Sequence, residues 1–99
     1  HIIKVDVQSI SIKDLLEKHS IKNLDLISID TEGYDGSIVI DFLNNTKLRP
    51  IIIFEYIHVN DFIFKNTLIL LNECNYTFFK IDENIICIQK NKSKELQLF

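Results

Sequence analysis

Leu26-Ile27-Ser28-Ile29-Asp30-Thr31-Glu32-Gly33-Tyr34 decides how this chain is read. A short apolar run ends in an acid, a second acid follows, and a glycine closes the segment. The run is apolar on both faces rather than strictly alternating, so residues 24–30 read as a buried parallel strand. Asp30 and Glu32 then stand at its carboxyl end, where open α/β sheets hold their ligands. An acid there is costly to bury and needs a partner, so the pair marks a candidate site.

Outward from this strand, the chain alternates strands with helices. Residues 2–7 alternate apolar and polar side chains, as a half-buried strand does. Ser11 with Asp14 three residues later is a capping-box-like start for a helix to about His19. Thr31 to Gly36 is a loop, and Ile38, Val39, Phe42 and Leu43 recur at helical spacing, which predicts a helix over 36–44. Pro50 opens a strand where its missing N–H is tolerable. The run Ile51-Ile52-Ile53-Phe54 should form the centre of the sheet, and it ends on Glu55. His58, Asn60 and Asp61 make a polar loop and cap. Phe64, Leu68, Leu71 and Cys74 predict a helix to about Glu73, which Asn75 can stop in the left-handed conformation. Residues 76–81 and 85–88 flank Asp82-Glu83-Asn84 as a hairpin. The order β-α-β-α-β-α-β-β implies an α/β fold with a mostly parallel sheet, right-handed crossovers and a C-terminal antiparallel hairpin.

Composition narrows the class. Ninety-nine residues suit one domain. Apolar residues make up 46% of the chain, enough for a core, so disorder is excluded. The net charge is −3 and the basic residues are scattered; Lys90, Lys92 and Lys94 lie in a polar tail, so a nucleic-acid partner is not expected. Residues 91–99 should fray. No apolar stretch is long enough to cross a bilayer and no signal-peptide pattern occurs, so no membrane partner is expected. Cys74 and Cys87 sit among apolar neighbours outside any CxxC pair. They read as buried free thiols, which fits a reducing, cytoplasmic setting, and a single disulfide between them stays open until geometry is known. The chain has no methionine, so it is expected to be processed or a piece of something longer.

Four segments, in order, resemble the C-terminal part of FkbM-type methyltransferases, which use S-adenosylmethionine. Asp30-Thr31-Glu32-Gly33-Tyr34 looks like the family's D-x-E-G-[YF] segment. Ile12-Lys13-Asp14-Leu15-Leu16 looks like its L-D-D-L-L helix start, with Lys13 in place of the first acid. Pro50 to Glu55 looks like the strand that closes on a glutamate, and Asn75-Tyr76 stands where Gly-Tyr is usual. The resemblance implies a Rossmann-like class I methyltransferase sheet. It also implies a glycine-rich cofactor turn, yet the only glycines are Gly33 and Gly36. Residues 1–99 are therefore expected to be a single partial domain whose N-terminal cofactor-binding strands are absent. Such a chain should bind S-adenosylmethionine weakly or not at all. In the family-like order two strands separate residues 2–7 from residues 24–30. The latter must then form an open edge, pair with 2–7 in a new arrangement, or pair with another molecule, and self-association through an open sheet edge is expected.

Each candidate residue has a functional and a structural reading. Asp30 lines the cofactor–acceptor cleft, contacting cofactor and reacting centre, or it caps the amides of residues 31–33. Glu32 faces the acceptor as a base or pairs with a surface lysine. Gly33 supplies a positive φ. Glu55 should point into the same cleft as Asp30. Two carboxylates can hold a divalent cation, but no third ligand is evident and no metal is assigned. His58 could be a base, although a loop histidine is more often solvated. Tyr34 and Tyr56 stack on a ligand or pack on the rim. The resemblance implies methyl transfer to a hydroxyl oxygen of a sugar or small metabolite by the parent protein, with Asp30, Glu32 and Glu55 as catalytic candidates. The rival is a non-catalytic fragment or degenerate module that binds a partner. A phosphotransferase lacks support, because no Walker-type loop is present.

Overall fold

The computed structural model describes residues 1–6, 14, 16, 17 and 22–95. The proposed Ser11 cap lies outside the described residues; Asp14, Leu16 and Glu17 are helical. The elements are β1 (Ile2–Val5), β2 (Leu26–Ile29), α1 (Asp35–Asn45), β3 (Ile51–Glu55), α2 (Asp61–Glu73), β4 (Tyr76–Ile81), β5 (Asn84–Gln89) and α3 (Lys90–Glu95). Asn75 and Asp82 have φ of 67° and 52°; the first ends α2 and the second turns the hairpin. Asn84, expected in that turn, is the first residue of β5. Lys90–Glu95 are helical, and residues 96–99 of the tail expected to fray lie outside the described residues.

The sheet order is β1-β2-β3-β5-β4. β1, β2 and β3 pair in parallel, and β5 runs antiparallel to both β3 and β4. Four strands thus share one direction, with the reversed β5 inserted between β3 and β4. The segment 24–30 was expected to lose its neighbours, yet β2 is interior. Ile3 pairs with Ile27 on one side and Ile52 pairs with Ile27 on the other. Of the three alternatives, direct pairing with residues 2–5 is the one the chain adopts, and β1 takes the edge. β1 can do so because its alternation matches the sheet's buried face, with Ile3 and Val5 in the core and Ile2 and Lys4 out.

The reading of β2 as buried on both faces holds for one face only. Ile27 and Ile29 are buried, whereas Leu26 and Ser28 are half-buried. In register with Ile27 and Ile29 lie Ile3, Val5, Ile52, Phe54, Ile85 and Cys87, and these make one core with Leu16, Val39, Phe42, Leu43 and Leu71. Successive crossovers advance in the same direction across the sheet. Right-handed connections then put their helices on the same face, which is where this cluster lies.

Two contacts fix the helices against the sheet. A Cβ added at Gly36 would lie 2.8 Å from Ile63 Cγ2 and 2.9 Å from Thr67 Oγ1, so glycine is what lets α1 approach α2. The buried Thr67 hydroxyl donates to Ile63 O at 2.7 Å and lies 3.3 Å from Gly36 O. Across the sheet, the buried Tyr76 hydroxyl donates to Pro50 O at 2.6 Å, tying β4 to the start of β3. Cys74 and Cys87 are both free, which closes the question of a disulfide between them.

Candidate functional site

β2 and β3 are adjacent and parallel, with Ile29 beside Phe54, so their carboxyl ends emerge on one rim. Asp30 and Glu55 follow at that rim. Asp30 N donates to Val5 O at 2.9 Å, which carries the ladder one step beyond the strand. After Asp30 the backbone turns sharply. Glu32 has φ 52° and Gly33 has φ 114°. The first is strained for a residue with a Cβ, at a cost on the order of 1 kcal/mol. The second is accessible chiefly to glycine. A Cβ at Gly33 would also sit 3.1 Å from His58 O. The turn after β2 therefore rests directly on the turn after β3.

The two turns are joined by an acid that sequence reasoning passed over. Asp35 is fully buried at the first residue of α1. Its Oδ1 accepts from Thr31 N at 3.0 Å and from the Thr31 hydroxyl at 2.6 Å. Its Oδ2 accepts from Glu55 N at 2.9 Å. One carboxyl group thus holds both strand ends through three hydrogen bonds, with its burial compensated by donors. The capping role considered for Asp30 belongs to Asp35 instead. Asp30 is exposed, and its carboxylate accepts no hydrogen bond from the described residues. The available signal was an acid directly before Gly36 at a helix start, four residues after a threonine.

Asp30, Glu32, Glu55 and His58 line a pocket of about 350 Å³. The three acids singled out in the sequence are brought together there, and His58, read as a solvated loop residue, joins them. His58 Nε2 lies 3.6 Å from Glu55 Oε1, with the Glu55 side chain 21% exposed and that of His58 63% exposed. Tyr56 packs instead of facing a ligand. Its ring stacks on Phe64 at 5.7 Å, Lys80 Nζ sits 5.1 Å from the ring centroid, and its hydroxyl donates to Asp82 O at 3.3 Å. Tyr34 is exposed beside Gly33. Among the described residues no group of three His, Cys, Asp or Glu side chains is placed to hold a metal ion, and no described helix is long and apolar enough to cross a membrane.

Chemically, the pocket offers hydrogen-bond acceptors and a titratable ring in an open, polar setting. Carboxylates in such a setting can accept hydrogen bonds from a ligand's donors. The two glycines are both committed to packing, Gly33 against His58 and Gly36 against α2. Neither offers a bare backbone cradle to a ligand.

Comparison with known proteins bears on what this arrangement serves. No curated protein and no solved structure matches the chain. The family model for the methyltransferase FkbM domain matches residues 1–78, which takes in every residue of the pocket, and the five-stranded mixed sheet is compatible with a methyltransferase-like fold. The chain belongs to the FkbM methyltransferase family.

Proposed function

We propose that the chain supplies the acceptor side of a methyltransferase, in which a methyl group passes from S-adenosylmethionine to a hydroxyl oxygen of a sugar or small metabolite. The observation that carries this reading is the gathering of Asp30, Glu32, Glu55 and His58 in one pocket at the carboxyl ends of β2 and β3, inside the segment matched by the family model. A sulfonium donor activates its own methyl carbon. The protein's part is then to align the acceptor and receive the hydroxyl proton.

The residues present do not fit the donor. Its methionine carboxylate and ribose call for close approach to backbone amides, which glycine permits, and both glycines of this chain are packed against other groups. We therefore place only the acceptor here. Asp30 and Glu32, exposed on the pocket wall, orient acceptor hydroxyls, and Glu55 closes the inner side.

Two measurements test the reading. Calorimetry of the 99-residue chain with S-adenosylmethionine should show no binding in the micromolar range; a micromolar Kd would overturn the placement of the donor outside this chain. In a form of the protein that binds the donor, Asp30→Asn or Glu55→Gln should lower transfer of labelled methyl to sugar hydroxyls while leaving the unfolding midpoint nearly unchanged. Wild-type turnover in both variants would remove these residues from the chemistry.

A further inference from the structure

The geometry points to His58 as the group that takes the proton from the acceptor hydroxyl, with Glu55 as the positioning residue that sets its ring. This inference rests on the methyl-transfer reading above and assigns a role which that reading leaves open among four side chains.

The three acids differ from His58 in what they can do. Asp30 and Glu32 are exposed at the rim, where their carboxylates can accept hydrogen bonds from acceptor hydroxyls. Glu55 lies deeper and has the ring of His58 beside it, with Oε1 3.6 Å from Nε2. Imidazole is the side chain whose ordinary titration range matches proton uptake at neutral pH. The two nitrogens of His58 are also distinguished. Nε2 faces a carboxylate, so a neutral ring carries its proton there, and Nδ1 is left with a lone pair. The ring is 63% exposed, and His58 is one of the residues that line the pocket.

The backbone supports the same assignment. Gly33, at φ 114°, brings its Cα against His58, where a Cβ would meet His58 O at 3.1 Å and His58 Cβ at 3.8 Å. Glu55 N is held by the buried Asp35. His58 and Glu55 are therefore each met by a different residue of the segment that links β2 to α1, Gly33 and Asp35. The 3.6 Å gap exceeds hydrogen-bonding distance, and such contacts commonly shorten once the acceptor is bound.

In the proton step, the acceptor O–H bond breaks and an N–H bond forms at Nδ1. The oxygen keeps the electron pair with which it bonds the methyl carbon, while the S–CH3 bond of the donor breaks and its sulfur leaves as a neutral thioether, so no oxidation state changes at the protein. Glu55 offsets the positive charge on the ring until the proton passes to water. The logic is that of a base oriented by a carboxylate.

Two experiments decide this. Nitrogen-15 NMR of the ring in the 99-residue chain should show the Nε2–H tautomer in the neutral form, and Glu55→Gln should erode that preference while the chain stays folded. An Nδ1–H ring, or a tautomer indifferent to Glu55→Gln, overturns the pairing. In a form that binds the donor, His58→Ala should lower methyl transfer on the order of 10²-fold, and added imidazole should restore part of it. Wild-type turnover in His58→Ala, or a loss that imidazole cannot rescue, overturns the role of His58 alone. Absence of transfer by the wild type, with the tautomer as stated, overturns the methyl-transfer reading and with it the role of the ring.

Discussion

At the scale of single residues, Asp35 carries more of the site than its sequence context suggests. It has no place in the pocket lining, yet it accepts from Thr31 N, the Thr31 hydroxyl and Glu55 N. Removing it strands donors in a buried position, and each costs about 1–3 kcal/mol when left unpaired. Asp35→Ala should therefore destabilise the fold by on the order of 3 kcal/mol. Asp35→Asn keeps one acceptor oxygen but sets an NH₂ group against a backbone donor, for a smaller loss of about 2 kcal/mol. Urea unfolding of both variants checks this, and a loss below about 0.5 kcal/mol, the scale of an ordinary surface substitution, in Asp35→Ala would show that the three hydrogen bonds are dispensable. Glu32 and Gly33 illustrate the other kind of residue effect. Their positive φ values bend the chain so that Glu32 returns to the pocket wall.

Among elements, the contact between α1 and α2 matters most for the pocket, because each helix begins where one of its two turns ends. Gly36 and Thr67 sit at that contact. Replacing Gly36 by alanine has opposing effects. Alanine in a helix gains about 1 kcal/mol over glycine, but its Cβ would come within 2.8–3.1 Å of Ile63, Thr67 and Val59. All three neighbours are β-branched and stiff at χ1, so they cannot swing aside. Overpacking costs about 1–3 kcal/mol, and the net expectation is a loss of about 1 kcal/mol for Gly36→Ala. Gly36→Val should lose more. A thermal melt that rises in Gly36→Ala would mean that α1 and α2 separate freely. The N-terminus of α2 depends less on tertiary contacts, because Asn60 Oδ1 accepts from Phe62 N at 2.8 Å and caps the helix locally.

For the whole molecule, the edges of the sheet and its buried ionisable groups set the behaviour. Among the described residues, β1 pairs with a strand on one side only. Val5 O faces β2, where it accepts from Asp30 N, so in a parallel ladder the intervening Lys4 turns its N–H and C=O outward. Ile2 is exposed on that strand, and an open edge of this kind invites pairing between copies. Sedimentation over a dilution series should show concentration-dependent association. Lys4→Pro, which deletes an outward N–H without touching the β1–β2 ladder, should reduce it. A monomer at every concentration would show that this edge is closed to partners. Stability should also depend on alkali. Burial pushes both the Tyr76 phenol and the Cys87 thiol well above their ordinary values. In the unfolded chain these groups lose their protons at ordinary pKa values of about 10 and 8.5, whereas the folded chain retains them. Their contribution is fully present below those values and is lost as pH rises from there toward the raised folded values. Chemical denaturation should show a falling midpoint above about pH 9, and Tyr76→Phe should flatten its upper part. A midpoint constant to pH 11 would contradict the burial of both groups.

The local sequence was enough to place most elements, because the signals for them are short-range. Isoleucine-rich runs ending on Asp30 and Glu55 mark two parallel strand ends, helical spacing from Ile38 to Leu43 and from Phe64 to Leu71 marks two helices, and Gly33 and Asn75 mark turns that need positive φ. From the same signals it followed that two acids stand at the carboxyl ends of neighbouring strands. Tertiary structure alone decided the rest. Nothing in the local pattern says that Ile2–Val5 pairs directly with Leu26–Ile29, or that the reversed β5 slides between β3 and β4. Nor does it say which face carries the main core. His58 is the exposed loop residue the sequence suggests, but only the fold sets it beside Glu55 and over the turn at Gly33, and Asp35 looks like a helix-start acid until Glu55 N, twenty residues away, is seen to donate to it. Periodicity and turn chemistry act over a few residues, whereas strand neighbours and hydrogen bonds across crossovers join groups far apart in the chain, and only packing the whole sheet brings those groups together.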